Sequence, residues 1–106
     1  MSVKNKSNMH KEEDNIGITL LKHRRLLKKY TVLRIGLFGS QAKGNQKTRS
    51  DIDFIVEFTK PSFDNFMDLL YSLETIFGKK VDLITKGNIS PYIIPHIEKE
   101  IKWYEV

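Results

Sequence analysis

Across residues 14–30 the apolar positions Ile16, Leu20, Leu27 and Tyr30 return at helical spacing, while Lys22, Arg24, Arg25, Lys28 and Lys29 fall mostly on other faces. The pattern predicts an amphipathic first helix whose cationic end complements the negative end of its dipole. From residue 31 to 38 the period drops to two, with Leu33, Ile35 and Leu37 on one side and Arg34, Gly36 and Phe38 on the other. That is a strand ending at Gly39-Ser40. Residues 41–49 are small and polar, a loop with room for a single helical turn.

A second strand sets Ile52, Phe54, Val56 and Phe58 on one face and Asp51, Asp53, Ile55 and Glu57 on the other. Pro61-Ser62 then opens a helix whose apolar stripe is Phe63, Phe66, Met67, Leu70, Leu73 and Phe77, with Gly78 placed to close it in a left-handed conformation. Residues 80–85 predict a third strand around Val81-Asp82-Leu83-Ile84, stopped by Gly87-Asn88. Pro95 suits the first turn of a last helix, with Ile97, Ile101 and Tyr104 on its apolar side. The expected order is helix, strand, loop, strand, helix, strand, helix, without an internal repeat.

Length allows one compact domain, and residues 1–12, polar and without periodicity, are expected to be a flexible tail before a domain over 13–106. With 40% apolar and 29% charged residues the chain has the composition of a folding protein rather than a disordered one. It has no cysteine, which excludes a disulfide framework and a thiolate zinc site and makes a cytoplasmic location the expectation. No apolar run is long enough for a membrane span, and MSVKNKSNMHK lacks the apolar stretch of a secretory signal. The net charge of +5 owes much to Lys4, Lys6 and Lys11 in that acid-free N-terminal stretch. The remainder is near balance, so nucleic-acid contact stays open without being favoured, its candidate surface running from Lys22 to Lys29.

The chemistry lies in Gly39-Ser40 followed, after ten residues, by Asp51-Ile52-Asp53. Carboxylates two apart on a strand point the same way with Cα atoms roughly 6.5–7 Å apart, so both can converge on a hard cation such as magnesium. Like charges this close are costly without neutralisation, and a bound cation is the simplest remedy. Asp82 has no packing reason to sit in an apolar strand; if that strand lies beside the second, Asp82 faces the same place. Three carboxylates around two magnesium ions suit phosphoryl or nucleotidyl transfer, with Asp82 the candidate for orienting or deprotonating an acceptor hydroxyl. Gly39 would let backbone approach closely, and the Ser40 hydroxyl with the following amides would bind nucleotide phosphates, with added charge from Lys43 and a nucleotide contact or local cap from Ser50. The GxxxxG spacing of Gly39 and Gly44 does not make a phosphate loop, because Asn45 and Gln46 stand where lysine and a hydroxyl residue are required.

The segments Leu37-Phe38-Gly39-Ser40-Gln41-Ala42-Lys43-Gly44 and Ser50-Asp51-Ile52-Asp53-Phe54-Ile55-Val56, with Lys80-Val81-Asp82-Leu83, resemble the polymerase-beta-type nucleotidyltransferase superfamily and, within it, the minimal nucleotidyltransferases. The resemblance implies an α/β (α+β) polymerase-beta-like fold, a small mixed sheet flanked by helices. It implies a nucleotide-phosphate turn at Gly39 and Ser40, a metal pair at Asp51 and Asp53, and a third carboxylate at Asp82, serving Mg2+, ATP and AMP transfer to a hydroxyl. It further implies an antitoxin role beside a HEPN-domain ribonuclease toxin whose tyrosine is the acceptor, in a hetero-oligomer or homo-oligomer. The short chain has no spare length for an acceptor-selecting domain, which also favours a protein that brings its own hydroxyl.

Two other classes compete: an antitoxin that neutralises by contact alone, and a nucleic-acid-binding regulator. His10, His23 and His96 lack ligand-like spacing and are read as non-catalytic. Trp103 and Tyr104 are read as packing or interface residues.

Overall fold

A computed structural model of the chain describes residues 8–38 and 51–106, with side chains from residue 15 onward. Helices α1 (Asn8–Lys22) and α2 (Arg24–Lys29) precede strands β1 (Val32–Leu37) and β2 (Ile52–Phe58). Helix α3 (Phe63–Phe77), strand β3 (Val81–Thr85), the short helix α4 (Ile94–Ile97) and strand β4 (Lys102–Glu105) complete the chain. The sheet runs β3-β2-β1-β4 and is mixed: β1 is antiparallel to β2 and β4, and β2 is parallel to β3. Parallel neighbours need a crossover, and α3 supplies it. This is the α/β arrangement of a small mixed sheet with helices that the sequence predicts.

One sheet face carries the core. Val32, Ile35 and Leu37 of β1, Ile52, Phe54, Val56 and Phe58 of β2, and Val81 and Leu83 of β3 pack with Ile16, Leu20, Leu27, Leu69 and Leu73 of the helices. The apolar face read for β2 is buried as expected. Strand β1 departs from strict alternation: Val32 pairs with Phe58 but Arg34 with Glu57, leaving Leu33 as an extra bulged residue. The bulge returns Val32 to the core and leaves Leu33 45% exposed, so Leu33 is not the core residue that its spacing suggests.

The predicted first helix is broken at His23. The imidazole Nδ1–H donates to the Thr19 carbonyl at 2.9 Å, the acceptor an unbroken helix would offer to the His23 amide, and that amide bonds the Leu20 carbonyl instead. Helix α1 also begins at Asn8, earlier than the pattern from residue 14 suggests. Helix α3 has its expected ends: the Ser62 hydroxyl accepts the Asn65 amide at 3.0 Å, and Gly78 has φ 63°. Its buried stripe is rotated, however, onto Leu69 and Leu73 with Phe66, Leu70 and Phe77 alongside. Phe63, 76% exposed, overhangs beyond it.

The last predicted helix is overturned. Helix α4 spans four residues, a 3-10 turn covers Glu98–Glu100, and Trp103 and Tyr104 lie in β4, paired with Gly36 and Ile35. The 97, 101, 104 spacing fits a helix, but the free edge of β1 offers Lys102–Glu105 a complete ladder of backbone partners, and aromatic residues pack well there. Gly36 makes room for this: a Cβ there would collide with Ile101 and lie 3.1 Å from both Ile55 and Trp103. No helix among the described residues is long and apolar enough to cross a membrane.

Candidate active site

Strand register decides where the acids go. β2 and β3 align Asp53 with Asp82 as direct neighbours, so their side chains project from the same face at the usual interstrand spacing of roughly 4.8 Å. Asp51 lies outside the ladder, immediately before the first residue of β2. The face shared by Asp53 and Asp82 is the one opposite the core, at the end where β2 and β3 begin and β1 ends. There the Phe38 amide donates to the Asp53 carbonyl at 3.1 Å, so the chain leaves β1 toward residue 39 directly beside Asp53.

Burial separates the three. Asp53 is 6% exposed and its Oδ1 is closed off from solvent, whereas Asp51 and Asp82 are exposed. Its burial sets Asp53 apart from the other two carboxylates. Asp51 is engaged by the turn between α3 and β3: its Oδ2 accepts the Lys80 amide at 3.3 Å, and its own amide donates to the Lys80 carbonyl at 3.0 Å. A shallow hollow of about 400 Å³ opens at this point, lined by Asp51, Glu74, Gly78, Lys79 and Lys80.

The structure thus brings Asp53 and Asp82 side by side and ties Asp51 to the turn at Lys80. Among the described residues it does not gather three acidic or histidine side chains tightly enough to enclose a metal ion. Gly39, Ser40, Lys43 and Ser50 lie outside the described residues. The paired carboxylates of Asp53 and Asp82, in register on one face, are the kind of oxygen donors that a hard divalent cation takes.

Farther along the same face, Arg34 bonds Glu57 at 2.8 Å and stacks 3.9 Å from the centre of the Trp103 ring, with the Lys86 ammonium 5.9 Å from that ring. Lys86 also approaches Glu98 at 3.9 Å. Assigning Trp103 to a helix hides this cluster from sequence reasoning. The contribution of Glu74 and Lys80 is equally missed; its only trace is a lysine pair and a glycine immediately before Val81-Asp82. An apolar groove of about 430 Å³, lined by Phe58, Pro61, Phe63, Phe66 and Thr85 among others, lies at the opposite end of β2 and belongs to a different surface.

The family model described as "Nucleotidyltransferase domain" matches residues 20–104. A Methanocaldococcus jannaschii protein provisionally named a protein adenylyltransferase is 49% identical over 87 residues, covering 77% of this chain and 87% of that one. Protein adenylyltransferase MntA of Thermococcus cleftensis is 33% identical, covering 83% of this chain and 91% of its own. Among solved structures, one described as a minimal nucleotidyltransferase superposes with a TM-score of 0.67 at 21% identity, over 92% of this chain and 97% of the other. A toxin–antitoxin structure with AMP-PNP gives 0.62 at 23% identity, over 85% and 73%. A tri-AMPylated Shewanella oneidensis HEPN toxin in complex with its MNT antitoxin gives 0.58 at 20% identity, over 84% and 71%. At these identities the solved structures bear on the fold.

Proposed function

This chain belongs to the nucleotidyltransferase domain family, and from that membership we propose that it transfers AMP from ATP to a tyrosine hydroxyl of a HEPN-domain toxin, acting as its antitoxin. The observation that carries the chemistry is the side-by-side placement of Asp53 and Asp82 on the sheet face opposite the core cluster, with Asp51 immediately before β2. The names of the 49% and 33% identical relatives support the adenylyl group, and the HEPN–MNT structure supports the kind of acceptor.

In this reading Asp51, Asp53 and Asp82 would hold magnesium, which when bound would offset phosphate charge and favour in-line displacement. Asp53 would be the buried ligand, while the exposed Asp82 is open to an incoming protein and would receive or orient the hydroxyl proton. The phenolic oxygen forms a bond to the α-phosphorus, the bond to the β-phosphate oxygen breaks, and pyrophosphate leaves. Gly39 and Ser40, with Lys43 and Ser50, hold the nucleotide phosphates.

The test is incubation with labelled ATP, magnesium and a HEPN protein encoded beside this chain. Label on the HEPN protein is expected with the wild type, and Asp53→Asn should lower transfer at least ~100-fold, in the range seen on losing a transition-state charge partner. No label with any such partner would remove the proposal.

A further inference from the structure

Glu74 occupies the last turn of α3, where no basic residue accompanies it. A carboxylate is unfavourable at the negative end of a helix dipole, so its position calls for a local reason. One bond provides it: the side-chain Oε2 accepts the Val81 amide at 3.1 Å. The glutamate side chain therefore ties the end of α3 across the turn to the first residue of the strand that carries Asp82.

The same turn holds Asp51 from the other side. The Lys80 carbonyl accepts the amides of Asp51 and Ile52 at 3.0 and 3.3 Å, and the Lys80 amide donates to Asp51 Oδ2 at 3.3 Å. Shifting the turn would move Asp51 directly and Asp82 through its neighbour Val81, while Asp53 stays fixed inside β2.

We propose that Glu74 is a positioning residue for the carboxylate site, setting Asp51 and Asp82 against Asp53 by clamping the turn at residues 78–81. The inference rests on the nucleotidyltransferase reading of those acids. It assigns Glu74 neither substrate nor metal contact. An outer-shell partner of this kind alters metal affinity and turnover without defining the fold.

The experiment compares wild type, Glu74→Ala and Glu74→Gln in two measurements: Mn2+ binding to the nucleotide-free protein by water-proton relaxation, and labelled AMP transfer to the co-encoded HEPN protein. The expected result is Mn2+ binding weakened ~10-fold or more in Glu74→Ala, with a matching fall in transfer and little change in the KM for ATP. Glu74→Gln keeps an amide oxygen that accepts the Val81 N–H and should recover most of both. Far-ultraviolet circular dichroism and urea titration report the fold of each variant. Unchanged Mn2+ binding in a folded Glu74→Ala protein overturns the proposal, as does equal impairment of both variants in proportion to lost stability. Transfer absent from the wild type, with Mn2+ binding still dependent on Glu74, counts against the adenylyl reading and leaves the clamp supported; absence of Mn2+ binding in the wild type overturns the clamp as a device for a metal site.

Discussion

Asp53 is 6% exposed, whereas its neighbours Asp51 and Asp82 face solvent, and the same substitution therefore means different things at the three positions. Asn preserves the volume of Asp, so Asp53→Asn removes charge without opening a cavity. Its loss of transfer should accordingly come with a cooperative unfolding transition like that of the wild type, measured in urea. A variant that fails to fold would mean that the carboxylate is structural. Gly36 presents the opposite case, a residue whose value is its missing Cβ. Ile101, Ile55 and Trp103 converge on it, so Gly36→Ala forces β4 or the facing side chains outward. Overpacking of this sort costs about 1–3 kcal/mol, read as a lower urea midpoint with an unchanged m-value. An alanine variant as stable as the wild type would show that β4 does not sit tightly on β1.

At the scale of elements, α3 has a structural end and a functional end. Ser62 caps the first, and Ser62→Ala should cost about 1 kcal/mol of stability while leaving AMP transfer unchanged, because the N-cap lies at the opposite end of the helix from the acids. Gly78 closes the second at φ 63°, where a side chain is strained, so Gly78→Ala should cost a similar ~1 kcal/mol and also reduce transfer by disturbing the turn that holds Asp51. Equal transfer by the two variants would dissolve this distinction. Both caps are legible in sequence, since Pro-Ser before an apolar stripe and glycine after it are local signals. Strand β2 is legible for the same reason: Ile52, Phe54, Val56 and Phe58 recur at every second position, although Ile55 on the other face is buried as well. What local pattern does not reveal is set by distant partners. The bulge at Leu33 follows from pairing with β2, the identity of β4 follows from the open edge of β1, and the break at His23 follows from a side chain capturing the Thr19 carbonyl. Ile97, Ile101 and Tyr104 satisfy helical spacing, and only the edge they dock against turns Lys102–Glu105 into a strand.

Across the whole molecule the core and the acids occupy opposite faces of one sheet, and this separates stability from chemistry. Helices α1, α2 and α3 bury Ile35, Leu37, Phe54, Val56, Leu69 and Leu73 on one side, while Asp53 and Asp82 stand on the other. Chemistry and partner binding are then separable by substitution, provided that the contact with a toxin extends beyond the acids themselves. Protein interfaces of standard size involve about 20–30 residues on each partner, so exchanging two carboxylates for amides leaves most of such a surface intact. The double variant Asp51→Asn with Asp53→Asn should therefore still co-purify with the HEPN protein, transfer no AMP to it, and fail to protect cells from it. Growth after toxin induction, scored beside the label on the recovered toxin, reads the two properties at once. Protection by a double variant that leaves the toxin unlabelled would establish neutralisation by contact, and the carboxylate face would then have lost its claim to the antitoxin function.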